Sequence, residues 1–288
     1  MIPLGLNLTS IGVSSAWWLE SARRAEEAGF SAVWCWDHFI SRGSNKASPV
    51  LECWTTLTAA AALTQRVRVG SFVTNVMNRH PAVLARMLAT LADQSAGRVE
   101  LGVGVGGHGA ELEAYGIPFP EPSERTARLE EAVMVLRLLW SGGPVDYEGR
   151  FFRLREAWAQ PVPSPAPRII VGGEKPAGAR LAARVGDGWT TNAPDYERLL
   201  PVHRAELEAR GRGRTEVAHL VALDLARDEP LERQPLIADM PGLAAEWAER
   251  GADELIVNWV RPDELPVLLD AAERAGLAAG AAAEWPAG

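Results

Sequence analysis

Apolar positions along this chain recur with two periods, and the switches between them divide it into alternating short and long segments. Ile2 to Leu8 (IPLGLNL) is a short apolar run closed by Thr9 and Ser10, the pattern of a buried strand. Ser14 or Ser15 then supplies an N-cap for a helix from Ala16 to Ala28, its faces marked by Leu19, Ala22, Arg23 and Glu26. After the turn residue Gly29 comes a second strand, Ala32 to Trp36, within Ser31 to Phe39 (SAVWCWDHF). A polar loop, Ser41 to Pro49, leads to a helix through Trp54, Leu57, Ala61 and Leu63. Arg66 to Val73 (RVRVGSFV) alternates charged and apolar residues, which predicts a strand with one wet face. Beyond Thr74 and Asn75, Pro81 opens a helix running to about Gln94, and Arg98 to Val103 is a fourth strand.

The alternation then pauses. A long helix is expected over Ser123 to Trp140, a small hairpin over Pro144 to Arg153 around Glu148-Gly149, and an extended connector over the proline-rich Gln160 to Pro167. It resumes with strands at Arg168 to Val171, Gly188 to Thr191, Val217 to Leu225 and Glu254 to Trp259. The intervening helices are Ala177 to Val185, Asp195 to Arg210 and Leu243 to Arg250, and a last helix covers Asp263 to Ala275. Eight strand–helix units is the number that closes a (β/α)8 TIM barrel, here with an inserted helix and small hairpin between strands four and five. A doubly wound open sheet is the competing architecture. The alanine-rich tail, Ala278 to Gly288, is expected to fray, and residues 1–288 are read as one domain.

Composition narrows the classes of function. Hydrophobic content of 47% with 23% charged residues is that of a soluble globular protein. A formal net charge of −8 argues against a nucleic-acid partner or an anionic membrane surface, while leaving room for a local basic pocket. Two of the 29 basic residues are lysines, Lys46 and Lys175, which singles them out. Cys35 and Cys53 form neither a disulfide framework nor a metal pattern. The first residues lack a basic stretch followed by an apolar one, and no run is long enough to span a bilayer, so a cytoplasmic location is expected.

Candidate chemistry lies at the strand ends. Asp37 and His38 stand where a buried strand stops, a costly place for polar groups unless they are paired or at work, and in a β/α barrel that end carries the active site. Thr74-Asn75, Gly104 to His108 and Gly172 to Lys175 end strands three, four and five, so the four segments can build one pocket. Gly102, Gly104 and Gly107 formally match G-x-G-x-x-G. They follow a fourth strand, however, and no strand ending in a ribose-binding acid comes next, so the match is set aside. A glycine loop lying along a cofactor tail is the reading kept, with a flexible loop as the bland alternative. Gly172-Gly173 before a helix start suits a phosphate, Lys175 adding a charge, though a ligand-free turn has the same pattern. His38, His80 and His108 lack metal-binding spacing, so no metal is assigned.

These segments resemble the luciferase-like monooxygenase superfamily, and within it the coenzyme F420-dependent oxidoreductases. The resemblance is carried by Arg23 to Phe39, Arg66 to Ala85, Leu91 to Glu111, Arg128 to Leu154 and Arg168 to Trp189, in family order over about two thirds of the chain. It implies a TIM barrel holding F420, or alternatively FMN, at the carboxyl ends of the strands. By that match Asp37 borders the cofactor ring, and His38 handles the proton with Asp37 fixing its orientation. A non-proline cis peptide is implied at Phe72-Val73, with Val73 and Thr74 behind the ring. Val105, Gly106 and Gly107 would line the cofactor tail with His108 beside them, and Gly172, Gly173 and Lys175 would take its phosphate. In the family's sugar-phosphate dehydrogenases an acid follows the Gly-x-Gly of strand four. Gly107 stands there in this chain, so that acid is expected to be missing and sugar-phosphate oxidation is not carried over. The resemblance further implies a small-molecule substrate and a homodimer. The alternatives are an FMN-dependent monooxygenase and a non-catalytic flavin-binding barrel.

Overall fold

In the computed structural model, which describes residues 1–43 and 45–277, eight parallel strands close into a ring with helices around it. In chain order the elements are β1 (Leu4–Leu8), α1 (Ser15–Glu27), β2 (Ala32–Cys35), α2 (Cys53–Leu63), β3 (Arg68–Asn75), α3 (Pro81–Gln94) and β4 (Val99–Gly104). Then come α4 (Gly109–Ala114), α5 (Pro122–Leu139), β5 (Val145–Glu148), β6 (Arg153–Ala157), β7 (Arg168–Gly172), α6 (Pro176–Val185), β8 (Gly188–Asn192) and α7 (Ala193–Ala209). The chain continues through β9 (Ala218–Asp224), α8 (Pro235–Ala238), α9 (Met240–Arg250), β10 (Glu254–Val260) and α10 (Leu265–Arg274). The ring runs β1-β10-β9-β8-β7-β4-β3-β2, while β5 and β6 form the separate antiparallel hairpin. This is the (β/α)8 barrel, and the open doubly wound sheet is excluded. Ala278 to Gly288 lie outside the described residues.

The two faces of each strand serve different cores. Leu4, Leu6 and Leu8, Val33 and Cys35 pack outward against the helices. Ala32, Trp34, Ile170, Ala218, Leu220 and Ile256 form a second cluster with Phe72 against it, the filling of the barrel. Trp34 needs space there. A Cβ on Gly70 would stand 2.5 Å from its ring, and one on Gly5 2.8 Å from its indole nitrogen. The glycines at these two strand positions are the room the indole occupies.

One expectation about β3 changes in the ring. Arg66 lies before the strand and is exposed, but the charged residue within β3 does not face water: Arg68 lies at the amino end of the barrel, its side chain 12% exposed. Its guanidinium donates to Glu100 at 2.7 Å and to Glu254 at 2.8 Å, and Arg168 Nε donates to Glu100 at 2.8 Å. Burial pushes the Glu100 carboxyl up, but Arg168 and Arg68 outweigh it and hold it below the carboxylate range. An alternating strand looks the same in sequence whether its polar side meets solvent or a buried ion network. Only ring closure distinguishes them.

The polar groups at the other end of the ring are set by register. Asn75 pairs with Gly104 across β3 and β4, Val103 with Val171 across β4 and β7, and Gly172 with Thr190 across β7 and β8. The carboxyl ends of these strands therefore reach one rim. His38, three residues beyond β2, and Gly173, next after β7, belong to that same rim.

Candidate active site

Asp37 and His38 are adjacent in sequence but hold different partners. The Asp37 carboxylate is buried and accepts from Arg79 at 2.7 and 2.9 Å, from Asn78 Nδ2 at 3.0 Å and from the Asn75 N–H at 3.1 Å. Arg79 also donates to Glu52. Burial alone would lower the Arg79 pKa, but Asp37 and Glu52 raise it above the ordinary arginine value. Asp37 is thus the clamp between the end of β2 and the segment after β3.

The imidazole is held by Glu111. His38 Nδ1 lies 2.7 Å from Glu111 Oε2, while the other carboxylate oxygen accepts from the N–H groups of Phe39 and of Ile40, the latter at 3.2 Å. The expectation that Asp37 orients His38 is corrected: Glu111 does so, because Asp37 is saturated by Arg79, Asn78 and Asn75. Gly107 itself, the position where the sugar-phosphate dehydrogenases carry an acid, has none. The carboxylate comes from four residues beyond Gly107, in the first turn of α4. Burial pushes the Glu111 carboxyl up, but His38 and the two N–H donors outweigh it and keep it below the usual range. A carboxylate on Nδ1 selects the tautomer with the proton there, leaving Nε2, which has no hydrogen-bond partner among the described residues, as the exchangeable position.

Aromatic groups wall this imidazole. The His38 ring is 5.1 Å from Trp36 and 5.6 Å from His108, and Trp36 meets Trp259 edge-on at 3.9 Å. Trp259 has φ 60°, the left-handed region that non-glycine residues seldom adopt. Beside them the Asn7 and Asn258 amides meet at 2.7 Å and Asn258 reaches Asp224 at 2.9 Å, while Asn7, in the orientation its neighbours require, accepts from Trp36 Nε1 at 2.7 Å and donates to the Trp34 carbonyl at 3.1 Å. Burial, the neighbouring Arg42 and His38, and Lys46 push His108 below the ordinary histidine value, with Glu111 opposing them.

The cofactor-side residues lie around the same rim. Phe72-Val73 is a cis peptide, and the β3–β4 register shifts between Ser71 and Thr74. Thr74 is fully buried with its hydroxyl unpartnered. A Cβ on Gly104 would come 2.9 Å from Val73, whereas Gly107 has open space where a Cβ would stand. Arg125, on α5, holds the loop from behind: it is buried, donates to the Val105 carbonyl at 3.0 Å and lies 3.8 Å over the Phe119 ring. Gly173 differs from the pattern of a free donor, since its N–H is taken by the Thr190 carbonyl at 2.9 Å. A Cβ there would be 2.6 Å from the Gly178 backbone, so the glycine is required by the packing of β7 against α6. Lys175 is exposed at the start of α6. His80 is elsewhere, capping α3 by accepting from the Ala82 N–H at 3.2 Å. Among the described residues no three His, Cys, Asp or Glu side chains converge as a metal set, and no helix is long and apolar enough to cross a membrane.

Sequence reasoning missed Glu111, Arg79, Trp259 and the Asn7–Asn258–Asp224 string. A glutamate shortly after a glycine loop is a first-turn signal, so a short helix at Gly109 was readable; its reach to His38 was not.

A barrel with its polar and glycine-rich strand ends on one rim defines a class of enzyme scaffold, and the chain belongs to the luciferase-like monooxygenase family, whose model matches residues 12–234. Among relatives, it is 36% identical over 215 residues to an F420-dependent glucose-6-phosphate dehydrogenase of Kineococcus radiotolerans, covering 72% of this chain and 63% of that protein. It is 37% identical over 197 residues to an F420-dependent hydroxymycolic acid dehydrogenase of Mycobacterium tuberculosis, covering 67% and 54%. The chain thus spans under two thirds of the length of these two relatives. A solved F420-dependent secondary alcohol dehydrogenase, in complex with an F420-acetone adduct, shares the fold with TM-score 0.82 at 23% identity, covering 94% of this chain and 97% of that one.

Proposed function

We propose that this chain is an F420-dependent oxidoreductase acting on a hydroxyl or carbonyl group of a small molecule. The observation that carries the reading is the His38–Glu111 pair, with Nε2 unpartnered among the described residues, on the rim that also bears Val73 and the glycine ends of β4 and β7. The residues fit a flat cofactor with an anionic tail. Val73 sits at a break in the β3–β4 ladder, Gly107 leaves open space, and the first turn of α6 offers N–H donors beyond Gly173. Val73 and Thr74 would back the ring, Val105 to His108 would follow the tail, and Lys175 would neutralise its phosphate. The bound deazaflavin supplies the hydride acceptor or donor that no side chain offers.

This chain's own part is the proton. His38 Nε2 takes the proton of a substrate hydroxyl on oxidation, or returns one to the oxygen of a carbonyl on reduction. Glu111 holds the ring in the required tautomer. Trp36 and Trp259 cover it from the side. The substrates named for the relatives, a sugar phosphate and a hydroxy fatty acid, both carry a hydroxyl and an anionic group, and a substrate of that general kind suits the pair. The family resemblance also supports a cytoplasmic homodimer, which sedimentation of the purified chain tests.

Titrating the protein with F420 and FMN side by side tests the cofactor. Tight binding of F420, with turnover on an alcohol panel, supports the reading. Submicromolar binding of FMN alone overturns it in favour of an FMN-dependent monooxygenase. Binding of either cofactor with no redox turnover on a broad panel favours a non-catalytic flavin-binding barrel.

A further inference from the structure

The charges around the rim are uneven. On the side of the loop Ile40–Val50 stand Arg42, Lys46, His38 and His108. The one acid among them, Glu111, is taken up by His38 and the N–H groups of Phe39 and Ile40. The Arg42 guanidinium lies 5.4 Å over the Trp36 ring, the ring that stands 5.1 Å from His38. Lys46 Nζ donates to the Ser41 carbonyl at 3.0 Å, which folds it back over the same loop. Among the described residues neither Arg42 nor Lys46 has a carboxylate partner, whereas Arg68, Arg79 and Arg227 each do. The loop is fixed at both ends: Gly12 N–H donates to Pro49 O at 2.8 Å, and Leu51 N–H to Ser10 O at 2.9 Å. Across the rim the sign reverses. β9 ends in Asp224, and the segment after it carries Asp228, Glu229 and Glu232 against Arg227 and Arg233, a net acidic balance.

Resting on the reading of the previous subsection, we propose that Arg42 and Lys46 hold a carboxylate or phosphate group of the substrate and thereby turn its hydroxyl-bearing carbon toward His38. The field across the rim favours one direction of entry, anionic end toward the β2 loop and away from β9. Arg42 presents a planar fork suited to either oxyanion, and Lys46 a point charge beside it. Trp36 bridges the two functions, its face under the guanidinium and its edge beside the imidazole. In a chain of net charge −8, two exposed cations without carboxylate partners among the described residues, at the mouth, mark where an anionic ligand is attracted locally.

The cofactor tail is a second anion, so the experiment must separate the two. The probe is inorganic phosphate, added to the full chain with and without saturating F420, with the five histidines followed by NMR. In the wild-type protein phosphate should raise the His108 titration midpoint, and should do so with F420 bound. In an Arg42→Gln/Lys46→Gln double variant the response should vanish while F420 affinity stays within twofold. Absence of any phosphate response at His108 in the wild type overturns the proposal. A tenfold or greater loss of F420 affinity in the double variant also overturns it, since the two cations then serve the cofactor. A protein that binds FMN in place of F420 yet keeps a phosphate response dependent on Arg42 and Lys46 supports this anion site and overturns only the cofactor reading.

Discussion

Glu111 and His38 are 73 residues apart in sequence, and their side chains meet at 2.7 Å. One carboxylate both orients the imidazole and accepts from the two N–H groups that follow it, so the proton-handling ring and the backbone beneath it are set together.

Replacing Glu111 separates those roles. Glu111→Gln keeps an oxygen acceptor but removes the charge opposite the imidazole, and should lower turnover about 10- to 100-fold. Glu111→Ala also strands the Phe39 and Ile40 donors and should cost a further ~1–3 kcal/mol of stability. Steady-state kinetics and urea unfolding measure the two effects. Unchanged turnover in Glu111→Gln would remove Glu111 from the site.

His38→Asn should lower turnover on the order of 10²- to 10⁴-fold and leave F420 affinity nearly intact. Fluorescence titration and kcat measured on the same preparation check it. Full activity in the variant would refute the assignment.

Asp37 makes a different prediction, because its carboxylate is buried against Arg79 rather than turned to the imidazole. Asp37→Ala leaves the guanidinium with the more exposed Glu52 alone and should destabilise the chain by about 3–5 kcal/mol. The expected loss is in the urea midpoint. A variant of normal stability but no turnover would instead make Asp37 a direct participant.

The two glycine segments should respond oppositely. Gly173→Ala forces a Cβ to 2.6 Å from the Gly178 backbone and should lower Tm whether or not a ligand is present. Gly107→Ala meets nothing within 4 Å, so its Tm should stay put while cofactor affinity falls if the tail passes there. Thermal unfolding beside cofactor titration distinguishes the cases.

Acid should weaken the fold through a pair of histidines remote from the rim. His203 and His219 lie between α7 and the barrel, their rings 5.0 Å apart, with His203 Nδ1 at 2.9 Å from the Ala179 carbonyl and His219 Nδ1 at 2.8 Å from the Tyr196 hydroxyl. Burial, chiefly, pushes His203 down to about 4 and His219 to about 2. Between those values and the unfolded value near 6.5 the unfolded chain binds more protons, so stability falls with falling pH. Each histidine adds up to about 1.4 kcal/mol per pH unit to that slope. Unfolding curves from pH 7 to 4 should be shallower for His203→Phe, and an unaltered slope would count against a neutral native His203.

Periodicity and punctuation in the chain were enough to locate the barrel strands, the hairpin and the rim segments holding His38, Val73 and the glycines, because these depend on local burial patterns and turn chemistry. What Asp37 and Glu111 do was not legible there. A carboxylate's partner is chosen by which strand ends become neighbours, and closure brings α4 over the end of β2 and Arg79 against Asp37. The same closure turned the charged side of β3 inward onto Glu100 and Glu254. Spacing along a chain specifies which face a residue takes. The group it meets across that face is decided by the packing of segments far apart in sequence.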